Sequence, residues 1–246
     1  MINLLLTKRI IKRTIEKILP QNVKLIHGGG KNVFLCRKTA IGFYYTSEIY
    51  YRSKSRFQES YCDLAFPAVK VISFNNAFKS IKMERVYGEK YDDIKHDEIV
   101  IDRLFEFSIT SPIKIREEGY PLILQHGDVK RENIIWTDDC SFVFIDLDNI
   151  SYYPIFYDIL HFCSCNNMRL DEICSVFYSH ISEVRKVFER IGLPLDDSFL
   201  DEIFYEYSTL YLSYGNFYRD VLFLVDGDMN NYPKTHTIID KIKKQL

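Results

Sequence analysis

The chain has 246 residues, 47% of them hydrophobic, enough to bury a sizeable core as one large domain or two lobes. Its 32 Lys plus Arg balance 34 Asp plus Glu for a net charge of −2, which excludes the overall positive field that draws a protein to nucleic acid. The 6 cysteines form no CxxC pair and no regular framework, no run approaches the roughly 18 uninterrupted apolar residues of a membrane span, and the short apolar start at residues 1–6 runs straight into Lys8, Arg9, Lys12 and Arg13, so reduced thiols, no export signal and a cytoplasmic location are expected.

Taken in chain order, residues 3–19 place Leu4, Ile10, Ile11, Ile15 and Ile18 near one side ahead of Pro20, a spacing that predicts an amphipathic helix. Apolar runs at 23–26, 33–36 and 41–45 predict three strands, the first two joined by His27-Gly28-Gly29-Gly30-Lys31-Asn32. Residues 48–66 lack Gly and Pro, carry spaced aromatics and stop at Pro67, which predicts a helix. Strands at 68–73 and 80–86 complete a five-stranded antiparallel sheet with one inserted helix. Beyond Gly88 the pattern predicts a helix over 97–107, a short apolar run at 122–125, a small hairpin from 134–136 and 142–145, and helices from 157 onward. A strand-rich first third and a helix-rich remainder predict an α+β, two-lobed chain, with an N-lobe over residues 1–86, a C-lobe over 87–246 and a connector near 84–88. Neither an internal repeat nor a low-complexity segment is present.

The residues that carry chemistry are His126-Gly127-Asp128-Val129-Lys130-Arg131-Glu132-Asn133, followed after the predicted hairpin by Ile145-Asp146-Leu147-Asp148. Phosphoryl transfer from ATP needs a carboxylate beside the acceptor hydroxyl and oxygen ligands that hold Mg²⁺ against the phosphates. An Asp and an Asn five positions apart face one site from a single loop, and a second Asp at the end of the next strand bridges metal and nucleotide. That is the logic of D-x-x-x-x-N followed by a metal-binding Asp.

At this point the sequence resembles the aminoglycoside phosphotransferase and choline kinase branch of the protein-kinase-like fold. His126-Gly127-Asp128 looks like that branch's HGD, Ile145-Asp146-Leu147-Asp148 like its I-D-[WF]-[ED], and Pro154-Ile155-Phe156-Tyr157-Asp158 like its P-x-x-x-D-L segment, whose Asp supports the active-site loops. Met83-Glu84-Arg85-Val86-Tyr87-Gly88 resembles the strand-to-connector segment whose backbone, at Glu84 and Val86, would meet adenine. The resemblance spans residues 24–160. It implies a two-lobed fold, ATP and Mg²⁺ as cofactors, Asp128 as catalytic base, and Asn133 and Asp146 as metal ligands, with Asp148 as a further metal ligand or a group behind the first ring of ligands. The acceptor it implies is a small molecule or glycan bearing a hydroxyl. Aminoglycosides, choline, sugars and polysaccharide precursors all fit, and neither the acceptor nor the oligomeric state is legible.

The run Gly28-Gly29-Gly30 between two strands leaves backbone N–H groups open to phosphate oxygens. It is also a common hairpin turn, and it is no P-loop, because Lys31 is followed by Asn32. The pattern breaks on the third strand, where this fold ordinarily carries a Lys that contacts the phosphates and pairs with a Glu of the following helix. Here the strand reads Ile41-Gly42-Phe43-Tyr44-Tyr45-Thr46. Glu59 stands where the helix Glu is expected, and Lys31 or Lys38 is left to supply the charge. The break keeps open a second reading, a nucleotide-binding or partner-binding pseudokinase. A protein kinase is disfavoured, since HGD stands in place of HRD and no D-F-G or A-P-E occurs. His161, Cys163 and Cys165 read as packed side chains on an apolar helix, not as a zinc site. The late aromatics Phe204, Tyr205, Tyr207, Tyr211, Tyr214, Phe217 and Tyr218, with Asp201, Glu202, Glu206 and Asp220 nearby, read as core or as the wall of an acceptor pocket for a sugar or a cation.

Overall fold

The structure is a computed structural model that describes residues 24–28, 30–90, 96–115, 121–137 and 141–192. The helix expected over 3–19, Gly29 and the late aromatic and acidic residues lie outside the described residues. The chain divides into two compact units, one holding the residues up to Ser55 together with Val69–Tyr87, the other Arg56–Ala68 and the chain from Gly88 onward.

The first unit is built on an antiparallel sheet of β1 (Lys24–His27), β2 (Lys31–Leu35), β3 (Thr39–Tyr44), β4 (Val71–Asn75) and β5 (Ser80–Glu84), in the order β1-β2-β3-β5-β4. Alternation explains the middle strand: Ala40, Gly42 and Tyr44 are buried and Thr39, Ile41 and Phe43 less so, which puts one face against the core. The register pairs Lys31 with Tyr44 and Val33 with Gly42. Helix α1 (Ser47–Ser60) follows, started by the Thr46 hydroxyl, which accepts the Ile49 N–H at 3.2 Å and so satisfies one of the open donors of the first turn. Its inward side carries Tyr50, Ser53, Arg56, Phe57 and Ser60, a helical spacing. Tyr50 packs edge-on against Tyr44 of the sheet, ring centroids 5.7 Å apart.

The expected helix over 48–66 stops short at Ser60, passes through a 3-10 turn at Tyr61–Asp63 and becomes extended at Leu64. Phe66 then packs in the second unit against Phe107, His126 and Phe144. In that unit β6 (Glu89–Lys90), β9 (Ile134–Thr137) and β10 (Ser141–Phe144) form one three-stranded sheet, and β7 (Ile113–Ile115), β8 (Pro121–Gln125) and β11 (Ser151–Pro154) a second. Strand β8 is buried along its whole length. It runs straight into His126-Gly127-Asp128.

Helices α2 (Asp97–Thr110), α3 (Tyr157–Cys165), α4 (Leu170–Ser179) and α5 (Ile181–Arg190) enclose a core of Phe105, Phe156, Phe162, Phe177 and Phe188, all but excluded from solvent. Arg190, ending α5, donates to the carbonyls of Ser108 and Ser111 at 3.1 and 2.9 Å, filling carbonyls that the end of α2 leaves open. Among the described residues, no helix is long and apolar enough to cross a membrane.

Candidate active site

The loop after β8 is pinned from beneath by a buried carboxylate. Phe156 enters α3 in the left-handed conformation (φ 63°), which a bulky side chain rarely adopts, and the turn delivers Asp158 under the loop. Its two carboxylate oxygens accept the backbone N–H groups of His126 at 2.7 Å and Gly127 at 2.9 Å. Its own N–H donates to Gln125 Oε1 at 3.0 Å. Burial pushes the Asp158 carboxyl up, against the pull of the two amide donors. The supporting role expected for Asp158 is thus met by two direct hydrogen bonds. Gly127, at φ +79°, admits only glycine, since a Cβ would lie 2.3 Å from Tyr153 Oη and 2.5 Å from the Asn149 carbonyl.

His126 ties the same loop to the end of β10. The Asp128 N–H donates to His126 Nδ1 at 3.2 Å, so Nδ1 is the acceptor and Nε2 carries the proton. Nε2 then donates to the Ile145 carbonyl at 2.9 Å. From the other direction the Ile145 N–H donates to the Asn133 carbonyl at 2.8 Å. Asn133 closes the ring: its Nδ2 donates to the Asp128 carbonyl at 2.9 Å and to Asp128 Oδ2 at 3.0 Å, which leaves the amide oxygen, the atom a metal needs, turned away from those bonds. Asp146, next in the chain after Ile145, is itself left-handed, φ 62° and ψ 53°.

Asp128 is almost fully buried and its oxygens are engaged by cations. Lys130 Nζ donates to Oδ2 at 2.9 Å and His161 Nε2 meets Oδ1 at 3.3 Å. Burial raises the Asp128 pKa, but the hydrogen bonds of His161 and Lys130 outweigh it and the net direction is down. Lys130 is pulled the opposite way: burial lowers its pKa, while Asp128 and, more weakly, Asp146 raise it to a net increase. Burial also lowers the His161 pKa, yet Asp128 and Cys165 raise it from 6.5 to about 9. A folded pKa above the unfolded value means that the His161–Asp128 pair stabilises fully below pH 6.5 and loses that contribution as pH rises through about 9. A shift of that size corresponds to about 3 kcal/mol. Denaturation followed from pH 6 to 10 is expected to show this decline in the wild type and not in His161→Gln; parallel profiles for the two would refute the ion pair.

Arg56 holds the following turn. This inward-facing guanidinium of α1 donates from Nη1 to the Asp148 carbonyl at 3.2 Å and to Asn149 Oδ1 at 3.1 Å. Asp148 itself is half-buried. Lys130, His161 and Arg56 were not singled out as site residues in the sequence. The signals were a basic residue two positions after Asp128 and, for Arg56, a position one helical turn before Glu59 on the face that turns inward. Glu59 is exposed on α1.

Gly28, Gly30, Lys31, Lys38, Glu84 and Val86, expected at the nucleotide, all belong to the first compact unit. The N–H of Gly28 donates to the Lys31 carbonyl at 2.9 Å and the Gly30 carbonyl accepts the Tyr45 N–H at 3.1 Å. Lys31 is buried and Lys38 exposed. At the end of β5, the Glu84 N–H donates to the Lys70 carbonyl at 2.8 Å, and Val86 is half-buried.

Hard oxygen donors from one amide and one or two carboxylates are what Mg²⁺ takes from a protein when phosphates and water fill the rest of its octahedron; Asn133, Asp146 and Asp148 fit that donor set. Among the described residues no group of three or more His, Cys, Asp or Glu side chains is placed to hold a metal by itself. Among the described residues no disulfide joins the five cysteines, and burial raises the Cys163 thiol to about 12. His161 and Cys165 lie 3.6 Å apart, with His161 turned to Asp128.

The fold is protein-kinase-like. Residues 87–179 match the model of the phosphotransferase enzyme family APH. Among solved structures, the chain is similar to the ADP-bound aminoglycoside phosphotransferase APH(2'')-Ib, at TM-score 0.53 and 14% identity over 95% of this chain and 96% of that one. It is also similar to APH(2'')-IIa in its streptomycin–ATP ternary complex, at TM-score 0.50 and 13% identity over 96% and 95%. Choline kinase LicA from Streptococcus pneumoniae aligns at TM-score 0.47 and 14% identity over 84% and 99%; the fold assignment rests on the first two. No curated protein matches the sequence. The chain thus has an α+β, protein-kinase-like fold, and its residues 87–179 resemble the aminoglycoside phosphotransferase family, as its motifs implied.

Proposed function

We propose that the protein is an ATP- and Mg²⁺-dependent kinase that transfers the γ-phosphoryl group to a hydroxyl of a small molecule or glycan. The observation that carries the reading is the closed circuit of Asp128, Asn133, Ile145 and His126, which fixes the chain just before Asp146, whose charge acts on Lys130. In this reading Asp128 accepts the hydrogen bond of the acceptor hydroxyl and receives its proton as the oxygen attacks phosphorus. Its depressed pKa suits a loose transition state, in which little charge has built on the attacking oxygen and alignment matters more than base strength. Asn133 and Asp146 would hold the metal, with Asp148 nearby, and a bound Mg²⁺ supplies charge neutralisation of the phosphates. Lys130, between Asp128 and Asp146, faces the charge that develops as the phosphoryl group moves. Related folds that hold ADP, or ATP with streptomycin, support a nucleotide and a small-molecule acceptor. We place the reaction in the cytoplasm, with no nucleic acid partner.

The test is transfer of labelled γ-phosphate from ATP onto a panel of aminoglycosides, choline, ethanolamine, monosaccharides and glycan fragments, with Mg²⁺ and with chelator. Transfer to one acceptor class that the chelator abolishes is expected. Saturable Mg-ATP binding with no transfer to any acceptor overturns the catalytic reading in favour of a pseudokinase.

A further inference from the structure

The missing lysine of the third strand leaves a specific electrostatic gap, and the sheet of the first unit carries a device that fills it. Lys31 begins β2 directly opposite Tyr44 of β3. Its side chain does not extend into solvent: the residue is only 7% exposed, an unusual state for a lysine. The aliphatic stem lies across β3 at Gly42. A Cβ built on Gly42 would stand 3.3 Å from Lys31 Cδ and 3.8 Å from Cε, and its next neighbour, the Ile81 carbonyl, is 4.0 Å away. The ammonium ends 5.3 Å from the centre of the Tyr44 ring, within cation–π range.

Gly42 has no left-handed backbone to explain it. Glycine in a strand interior weakens the strand and often marks the close approach of another group; here the group is the Lys31 stem. Ala40, Gly42 and Tyr44 share the buried face of β3, and Lys31, paired to Tyr44, lies on that same face. The groove therefore carries a cation from β2 onto the face of the third strand. Lys38, the other basic residue in reach by sequence, sits exposed in the turn at the opposite end of the β2–β3 hairpin, its carbonyl held by the Arg85 N–H at 3.1 Å. The Lys31 backbone carbonyl, at that end of β2, accepts the Gly28 N–H at 2.9 Å.

We infer that Lys31 supplies from the second strand the phosphate-binding ammonium that kinase-like folds carry on the third, and that the absence of a side chain at position 42 is what admits it. The inference rests on the proposed nucleotide-dependent function and assigns one residue of it; it also makes a prediction that a merely structural lysine does not. Moving the charge back to the third strand restores the site, because nearly everything close to a Cβ at position 42 belongs to Lys31 itself.

The experiment measures binding of Mg-ATP and of adenosine by calorimetry to the full chain, in the wild type and in Lys31→Met, Lys31→Ala, Lys31→Ala/Gly42→Lys and Lys82→Met. Lys31→Met keeps an apolar stem over Gly42 and removes only the charge. Loss of a charge-assisted contact to phosphate is expected to weaken ATP binding roughly 10- to 100-fold, with adenosine binding unchanged. Lys82, exposed on β5, controls for loss of a lysine from the same sheet. The double variant is expected to recover most of the affinity lost in Lys31→Ala. ATP binding by Lys31→Met as tight as wild type, equal loss for ATP and adenosine, or a double variant no better than Lys31→Ala overturns the assignment while leaving the kinase reading intact. A wild type that binds no nucleotide defeats both.

Discussion

Replacing Asp128 by alanine is expected to lower phosphoryl transfer by about three to four orders of magnitude, the upper range for loss of a positioned acid or base, while Mg-ATP binding stays within a few-fold of wild type. In the proposed reading the carboxylate meets the acceptor hydroxyl, while the nucleotide contact proposed for Lys31 lies in a different part of the chain. Removal of Asp128 also takes the counter-charge from two cations, Lys130 and the buried His161. Without it burial acts on His161 with less opposition, so its pKa is expected to fall and the imidazole to lose its proton below pH 9. Asp128→Asn sharpens the test: it keeps the volume and one acceptor oxygen but cannot take the proton, and it presents an amide N–H₂ to a neighbour that is already a donor. Single-turnover transfer, read beside calorimetric ATP binding, separates the effects. Either variant retaining wild-type turnover removes Asp128 from the chemistry.

The block from Asp128 to Asp146 was legible in the sequence because its logic is local. Asp128 and Asn133 belong to one loop, and Asp146 follows a hairpin whose strands were both visible as apolar runs. Five strands of the first unit and α2 were visible for the same reason, each carrying its period within a few residues. What stayed hidden depends on distant contacts. His161 meets Asp128 across 33 positions and Arg56 meets Asp148 across 92; neither pairing leaves a trace in spacing. Strand β11, Ser151–Pro154, contains two tyrosines and ends in proline, and it forms because β8 offers it a register from Gln125 to Leu122. Strand β6 has two residues, too few for any period. The helix expected to reach Phe66 ended at Ser60 because its later aromatics, read as continuing the helical pattern, serve a different core: Phe66 belongs with Phe144 and His126. Lys31 was named as a candidate for the missing charge, but its burial was likewise invisible, since nothing in the spacing shows the groove at Gly42.

Asp158→Ala is expected to destabilise the protein by about 2–4 kcal/mol and to reduce turnover much more than ATP affinity. Two buried N–H groups, those of His126 and Gly127, lose their acceptor, and each unsatisfied buried donor costs about 1–3 kcal/mol. Relief of the carboxyl's own burial, which already pushes its pKa up, offsets part of that loss. Asp158→Asn does not rescue the site. An asparagine offers one acceptor where two are used, and its amide would face an N–H donor at 2.7 or 2.9 Å. The chemistry suffers with the fold because the same two residues, His126 and Gly127, lead into Asp128 and, through the His126 imidazole, fix the chain just before Asp146. A loop freed by even an ångström loses alignment, to which this class of reaction is most sensitive. Urea denaturation of the alanine and asparagine variants, read with kcat and KM for ATP, checks the claim: an Asn variant within about 0.5 kcal/mol of wild type and fully active would mean that the loop is held by something other than this carboxylate.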